Sequence, residues 1–280
     1  MQNELRSSFP VSTMLLLRSC KRPNLYNRGD VCQKFTKCNL LFLLIEENLI
    51  FAANFFMAVD YTKRVLFLTE DGSSSLQLTE TEEQYHSKFG ALNESRHIYI
   101  ERGLRCFPES QPLNILEVGF GTGLNALLTL AENRSAAIEY TTIEPFPLSI
   151  SEAEMLNYPQ LINPSLRELF LQMHRCAPSQ THHISNRFAF TKLLTTLEAA
   201  SLPANYFHLV YFDLFGPDVE PKLWELPNFL KIAQAMTFQG VLITYCAKGV
   251  VKRTLKTAGF TIESLPGPIG KREITRAIKN

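Results

Sequence analysis

A glycine-rich turn between an apolar strand and an apolar helix, LNILEVGFGTGLNALLTL at residues 113–130, most constrains what this chain can fold into. Gly119, Gly121 and Gly123 can adopt positive φ and let the backbone approach a ligand closely. In doubly wound α/β folds such a turn lies at the carboxyl end of the first strand, where these folds bind ligands. The motif therefore predicts an α/β domain with a nucleoside cofactor at this turn.

The spacing of the glycines and two nearby acids narrow the choice of cofactor. Leu124 occupies the sixth position from Gly119, so the dinucleotide pattern GxGxxG is incomplete and a nicotinamide dinucleotide is disfavoured. Glu117 suits the cationic sulfonium and amino acid tail of S-adenosyl-L-methionine, directly or through water. Glu144 ends the second predicted strand 21 residues after Gly123, a distance at which an acid can accept both ribose hydroxyls. The alternative for Glu144 is a surface glutamate in a loop.

Apolar segments of strand and helix length alternate after the turn, which predicts a mostly parallel sheet covered on both faces. An N-terminal addition precedes it: the strand VLFLTEDG at 65–72, then one or two helices containing Tyr85, Phe89, Leu92 and Ile98. Strands are predicted at 114–118, 139–143, 187–193, 207–212, 240–245 and 261–265, and helices at 124–132, 148–155, 164–175, 229–236 and 250–258.

The strand FHLVYF at 207–212 ends in Asp213, followed by LFGPD. As the fourth strand of a doubly wound sheet it would lie next to the first, so its end would face the reactive methyl group of the cofactor. A carboxylate there can hold an amine nucleophile or take its proton. The alternative is an aspartate that caps the next turn, as Asp-x-x-Gly sequences often do.

Charge and cysteine usage add weaker constraints. The formal net charge is +1, which by itself does not argue for a nucleic-acid partner. Residues 248–280 carry eight basic side chains against Glu263 and Glu273, so this end could meet phosphates, or it could be an ordinary solvated surface. The six cysteines form no CxxC pair, which predicts no metal site and indicates reduced thiols in a cytoplasmic protein.

Residues 1–56 differ from the rest because they show little helical or strand period. The longest apolar run, 40–45, is followed by Glu46 and Glu47, too short and too charged for a membrane span. The run 14–17 is shorter than the apolar core of a secretory signal. We expect residues 1–56 to be an extension that is poorly ordered or absent from the native domain, and the folded domain to comprise 57–280.

Six motifs in order, EVGFGTGLNALLT, EPFPL, YFDLFGPD, KLWE, TYCAKGVVKRTLKTAGF and LPGPIGKRE, resemble the MnmC-like methyltransferase family, which acts on 5-aminomethyl-2-thiouridine at the tRNA wobble position. The resemblance runs from about 65 to 277. It implies a class I S-adenosyl-L-methionine methyltransferase fold, N-methylation that yields 5-methylaminomethyl-2-thiouridine, tRNA as partner, and no metal or membrane. Enzymes that modify the wobble uridine upstream are candidate partners. Because nothing follows Asn280, we expect the stand-alone form without the flavin-dependent oxidase domain.

The resemblance also implies site residues. Asp213 would be the catalytic aspartate beside the cofactor, whose binding site would include Glu117, Gly119, Gly121, Gly123, Asn125 and Glu144. Tyr245 and Lys248 would line the substrate mouth, and tRNA phosphates would meet Arg253, Lys271 and Arg272. The sequence departs from the family in two places. D-x-F-A-P is D-L-F-G-P here, and FTKLLTTL at 190–197 lacks the acid expected near adenine, which leaves that base to a backbone contact.

Two other functions remain open. An aminopropyltransferase of the spermidine synthase type uses a similar sheet and an acidic strand end, but it needs several acids for a polyamine, whereas GPIGKRE indicates an anionic partner. A non-catalytic RNA-binding module could keep a cofactor pocket as a relic. The presence of both Glu144 and Asp213 argues against that reading.

Overall fold

A computed structural model describes residues 60–280. The predicted extension, residues 1–56, lies outside the described residues, as do 57–59. The first described elements form an antiparallel hairpin of β1 (Arg64–Leu68) and β2 (Ser74–Leu78), in which Arg64 pairs with Leu78. The sequence predicted β1 but not β2.

The carboxylate of Asp71 fixes the hairpin turn to the first helix. Its Oδ1 accepts hydrogen bonds from the backbone nitrogen of Ser73 (3.0 Å) and the hydroxyl of Thr69 (2.8 Å), and its Oδ2 accepts one from the backbone nitrogen of Asn93 (2.9 Å). Asn93 belongs to α1 (Ala91–Ser95), which continues into a π-helical turn, Arg96–Glu101. Leu92 and Ile98 of the predicted helical region lie in this segment, whereas Tyr85 and Phe89 come before it. The helical part is therefore shorter than predicted.

The main sheet follows. Its strands are β3 (Leu113–Val118), β4 (Ile138–Ile143), β5 (Thr181–Ser185), β6 (Phe188–Leu193), β7 (Phe207–Phe212), β8 (Met236–Thr244), β9 (Phe260–Pro266) and β10 (Glu273–Lys279). The helices are α2 (Leu124–Ala131), α3 (Ile150–Met155), α4 (Tyr158–Ile162), α5 (Arg167–Arg175), α6 (Leu226–Ala235) and α7 (Gly249–Thr257). Short 3₁₀ turns lie at Leu104–Cys106, Pro164–Leu166 and Pro221–Trp224.

The strand order is β5-β6-β4-β3-β7-β8-β10-β9. Strands β6, β4, β3, β7 and β8 run parallel, while β5 and β10 pair antiparallel to their neighbours. Register places Glu117 beside Tyr211 and Val118 beside Phe212, so β3 and β7 end at the same edge. The predicted doubly wound α/β fold is confirmed, and β7 lies next to β3 as expected.

The core has two apolar clusters, which between them contain the inward side chains of the sheet. One includes nearly all of α2, whose residues Leu124–Leu130 are buried. The other includes Trp224, Phe229 and Leu255. The indole nitrogen of Trp224 donates to the carbonyl oxygen of Phe215 (2.8 Å), so this buried side chain holds the loop that follows β7.

Candidate active site

A cleft of about 1310 Å³ lies where the parallel strands end. Its wall includes residues that directly follow β3, β4, β7 and β8, together with the N-terminal segments 82–88 and 94–99 and the turn at 271–273. The carboxyl edge of the sheet is where doubly wound folds bind ligands. The N-terminal addition and the C-terminal hairpin therefore complete a site that the parallel strands begin.

The glycine turn adopts the conformations that its sequence predicted. Gly119, Gly121 and Gly123 have φ values of +94°, +49° and +76°. A Cβ on Gly119 would overlap the carbonyl oxygen of Asp213, so only glycine lets the end of β3 pass the end of β7. Gly119 and Gly121 line the cleft, whereas Gly123 faces inward, where a Cβ would lie 2.9 Å from the Nε2 atom of His174.

Glu144 follows β4 and lines the cleft. Its Oε2 accepts a hydrogen bond from the backbone nitrogen of Gly121, and its Oε1 accepts one from that of Phe146, both at 2.8 Å. Burial raises the pKa of this carboxyl, and the two backbone donors oppose that rise by favouring the charged form. Glu144 is thus fixed between the glycine turn and the loop that follows β4, as a ribose acceptor would be.

Apolar and aromatic surfaces adjoin Glu144. The ring of Phe146 stacks on Tyr61 with centroids 4.5 Å apart, and Tyr61 donates a hydrogen bond to Glu220. All three residues line the cleft, as does Glu198. Glu198 comes one position after the segment 190–197, in which no acid is present. A longer segment after β6 would have included it. Tyr61 and Glu220 carried no local signal.

Asp213 lines the cleft at the end of β7. The side-chain nitrogen of Asn125 donates to its Oδ2 (2.8 Å). Burial raises the pKa of Asp213 to about 6, although the Tyr99 and Asn125 side chains favour the charged form. A carboxylate that is charged near pH 7 yet has a raised pKa is a good proton acceptor. Asn125 itself does not line the cleft; it holds Asp213.

Glu117 lies beneath Asp213 rather than at the cleft surface. It is 0% exposed, and neither carboxylate oxygen has a hydrogen-bond partner, although Tyr140 and Thr142 lie close by. Burial, followed by the negative charge of Asp213, raises its pKa well above the ordinary range. The neutral acid is therefore the form that this position favours, and direct contact with a cationic ligand in the cleft is not part of this arrangement.

The basic residues predicted for the substrate side divide into two groups. Lys248, Lys271 and Arg272 line the cleft, as does Tyr245, whose hydroxyl donates to the carbonyl oxygen of Leu214 (2.9 Å). Arg253 is exposed on α7 and does not line the cleft. Lys248 pairs with an acid, Asp218.

Much of the basic C-terminal end is neutralised within the fold because its last residues form β10. Lys252 pairs with Glu273 (2.6 Å) and Arg276 with Glu263 (2.5 Å). The Nζ atom of Lys279 donates to the carbonyl oxygen of Met236 (2.5 Å). Among the described residues of this region, Arg253, Lys256 and Arg272 are exposed and form no ion pair, whereas Lys248 is exposed but pairs with Asp218.

Residues 60–280 contain neither a metal-ligand cluster nor a membrane-spanning helix. No cluster of three or more histidine, cysteine, aspartate or glutamate side chains there has the arrangement to hold a metal ion. No helix of that part of the chain is long and apolar enough to cross a membrane.

Comparison with known proteins gives concordant results. A family model described as an S-adenosyl-L-methionine-dependent methyltransferase matches residues 158–280. The tRNA 5-methylaminomethyl-2-thiouridine biosynthesis bifunctional protein MnmC of Ralstonia nicotianae is 29% identical over 213 residues, 69% of this chain and 31% of the relative. MnmC of Nitrosospira multiformis is 30% identical over 222 residues, 72% and 35% respectively. The chain thus spans about a third of the length of the curated relatives it matches.

Solved structures share the fold. MNMC2 from Aquifex aeolicus has a TM-score of 0.63 at 24% identity, covering 78% of this chain and 70% of its own. Spermidine synthase from Thermotoga maritima has a TM-score of 0.51 at 13% identity, covering 78% and 69%. These findings confirm the resemblance stated from the sequence, the class I methyltransferase fold and S-adenosyl-L-methionine as the cofactor.

Proposed function

We propose that this chain, an S-adenosyl-L-methionine-dependent methyltransferase related to the MnmC proteins, N-methylates 5-aminomethyl-2-thiouridine at the wobble position of tRNA. The product would be 5-methylaminomethyl-2-thiouridine. One observation carries the proposal: Asp213, held by Asn125, lies in the cleft beside the glycine turn with a pKa of about 6. The relatives are named for the biosynthesis of 5-methylaminomethyl-2-thiouridine in tRNA, which supports an amine on tRNA as the nucleophile.

The cleft suits S-adenosyl-L-methionine. Gly119 and Gly121 leave its floor without side chains, the fixed carboxylate of Glu144 can accept ribose hydroxyls, and Phe146 offers an apolar face to adenine. Glu198 supplies an acid on the same wall. When bound, the cofactor supplies an electrophilic methyl group on a sulfonium. Glu117, which lies below the surface, would act on this site only through Asp213 and Asn125.

Asp213 would accept the proton that the amine loses during methyl transfer. The nucleophilic amine must be neutral for its lone pair to react, so a proton acceptor beside it favours the transfer. With a pKa of about 6, Asp213 is mostly charged at pH 7 and can receive that proton. General base assistance of this kind is typically worth about 10²–10⁴ in rate. Asn125 would keep the carboxylate in position.

The basic side chains around the cleft would meet the tRNA. Lys248, Lys271 and Arg272 line the opening, with Tyr245 beside them, and Arg253 extends the basic surface on α7. Neutralising phosphates releases counterions, so affinity should fall steeply with salt. A protein that modifies tRNA would act in the cytoplasm, after the enzymes that install the aminomethyl group.

Labelled S-adenosyl-L-methionine and tRNA from cells that lack the modification test the proposal. Digestion should yield labelled 5-methylaminomethyl-2-thiouridine with the wild-type protein and not with Asp213→Asn. Label in any other nucleoside, or full activity of the variant, contradicts it.

One observation favours a second candidate, aminopropyl transfer: the cleft wall carries several acids, including Glu82, Glu83, Glu198 and Glu220, which could bind a polyamine. Decarboxylated S-adenosylmethionine with a diamine, assayed in parallel, separates the two activities. Product in that reaction and none with tRNA would favour the second candidate.

A further inference from the structure

We propose that Glu94 is a second carboxylate that binds the substrate amine and limits the reaction to one methylation. The inference rests on the proposed function, since it concerns the same amine. Glu94 lies in α1, within the N-terminal addition, and lines the cleft. No sequence motif pointed to it.

One carboxylate oxygen of Glu94 is hydrogen-bonded to the backbone, and the other faces the ammonium group of Lys271. Glu94 is only 8% exposed, and its Oε2 accepts a hydrogen bond from the backbone nitrogen of Ser87 (2.7 Å). Its Oε1 accepts no hydrogen bond. The Nζ atom of Lys271 lies 3.1 Å from Oε1, which gives a charge contact without hydrogen-bond geometry. A carboxylate oxygen that meets one ammonium group and accepts no other hydrogen bond keeps acceptor capacity for an N–H group of a ligand.

Glu94 belongs to the same part of the cleft as the general base. Its negative charge contributes to the raised pKa of Asp213, Tyr99 and Tyr245, all of which line the cleft. The geometry links Glu94 to the residue beside Asp213: the Nζ atom of Lys271 lies 3.1 Å from Glu94 and 4.5 Å from the centroid of the Tyr245 ring, and the Tyr245 hydroxyl donates to the carbonyl oxygen of Leu214. Two carboxylates therefore adjoin the position proposed for the amine.

A primary amine has two N–H groups, and the two carboxylates match them. With one N–H donated to Asp213 and the other to Glu94, the lone pair is left to point at the methyl group. The nitrogen–carbon bond forms, the carbon–sulfur bond breaks with its electron pair going to sulfur, and Asp213 receives the proton. Lys271 offsets the charge of Glu94, so the pair orients the amine without favouring its unreactive ammonium form.

The same arrangement disfavours a second transfer. The product is a secondary amine with one N–H and one methyl group. To aim its lone pair at another methyl donor, it would have to turn its own methyl towards Asp213 or Glu94. That would leave a buried carboxylate facing an apolar group, which is unfavourable.

The test uses two tRNA substrates, one carrying 5-aminomethyl-2-thiouridine and one already carrying 5-methylaminomethyl-2-thiouridine. Wild-type protein should methylate only the first. Glu94→Ala should methylate the first at least tenfold less efficiently and should also label the second, giving a dimethylamino nucleoside by mass spectrometry. Its affinity for S-adenosyl-L-methionine, measured by calorimetry, should stay within twofold of wild type.

Glu94→Gln separates amine binding from a purely structural role. Glutamine can keep the bond from Ser87 through its oxygen, which turns its NH₂ group towards the amine. We expect a folded protein with a lower Tm, because the neutral amide loses the ion pair with Lys271, and a KM for tRNA at least tenfold higher. Glu101→Ala is the matched control, because Glu101 is exposed one turn beyond Glu94's helix and should change none of these values.

The outcomes distinguish the two proposals. Wild-type protein that fails to methylate the first substrate contradicts the proposed function itself. Wild-type activity together with normal kinetics and a monomethylated product in both Glu94 variants contradicts the role of Glu94 alone. If Glu94→Ala does not fold, the KM of Glu94→Gln decides the question.

Discussion

Replacing Asp213 with asparagine should stabilise the fold while it abolishes methyl transfer. Burial raises the pKa of Asp213 from 3.8 to about 6, which means that the folded protein holds the charged form at a cost. Each pH unit of displacement corresponds to about 1.4 kcal/mol, so the charged form costs the fold up to about 3 kcal/mol. Asparagine carries no charge, and its side-chain oxygen can still accept the hydrogen bond from Asn125.

The pH dependence of this stabilisation follows from its sign. Because the folded pKa lies above the unfolded value, the fold binds the extra proton between about pH 4 and pH 6. The cost of the charge is complete above about pH 6 and disappears below about pH 4. A change of 1 kcal/mol shifts the Tm of a domain this size by about 2–4 °C. At pH 4.5, between the two pKa values, the cost falls to about 1 kcal/mol, a third of its value at pH 8. We therefore expect Asp213→Asn to melt up to about 6–12 °C higher than wild type at pH 8 and only about 2–4 °C higher at pH 4.5.

Thermal unfolding followed by circular dichroism at the two pH values measures this difference, and the methylation assay measures the loss of rate. A Tm at pH 8 equal to or below that of wild type would refute the burial cost. An equal difference at both pH values would mean that the substitution acts through packing and not through the charge.

Three further substitutions test the site. Gly119→Ala should abolish cofactor binding and lower the Tm, because the added Cβ would overlap the backbone of Asp213. Gly259→Ala is the control: φ is similar at +96°, but the space around the Cβ is open, so it should cost only backbone strain and leave cofactor binding intact. Calorimetry measures the binding and thermal unfolding the stability of both variants. Glu144→Gln should weaken cofactor binding about 10–100-fold, because the ribose hydroxyls lose a charged acceptor and the new NH₂ group faces one of the two backbone donors. Unchanged affinity would exclude Glu144 from the site. Arg272→Ala should reduce the slope of log affinity for tRNA against log salt concentration by about 1. Lys256 is exposed but lies outside the cleft, so Lys256→Ala should leave the slope unchanged. Equal slopes for the two variants would contradict the proposed contact.

The parallel half of the fold and its glycine turn could be predicted from the sequence because their signals are local. β3 and β7 are short, mostly apolar strands, followed directly by Gly119 and Asp213. Because the two strands are parallel neighbours, they end at a common edge of the sheet. Topology then places Asp213 beside Gly119 without further information. These residues were found for the same physical reason: the chemistry of this fold class lies at the ends of buried strands.

The residues that sequence reasoning missed depend on distant parts of the chain. In β10 the buried residues Ile274, Thr275 and Ala277 are interrupted by half-buried residues that include Arg276 and Lys279, so its sequence indicates a basic surface and not a strand. Arg276 of β10 pairs with Glu263 of β9, and Glu273 of β10 pairs with Lys252 of α7. Glu94 belongs to α1, which is held to the hairpin turn by hydrogen bonds from the backbone nitrogens of Ala91, Leu92 and Asn93 to Thr69, Ser73 and Asp71. Such placements have no local periodicity.

The three acids near the glycine turn show why residue type alone did not assign their roles. Glu144 is held by two backbone donors, Asp213 by one side-chain amide, and Glu117 by none. The charge of Asp213 raises the pKa of Glu117, after burial, so the two acids do not share the charge equally. With the deeper acid neutral, no second negative charge lies directly below Asp213 to drive its pKa higher. A buried, unpartnered Glu117 is thus compatible with a general base whose pKa stays near 6.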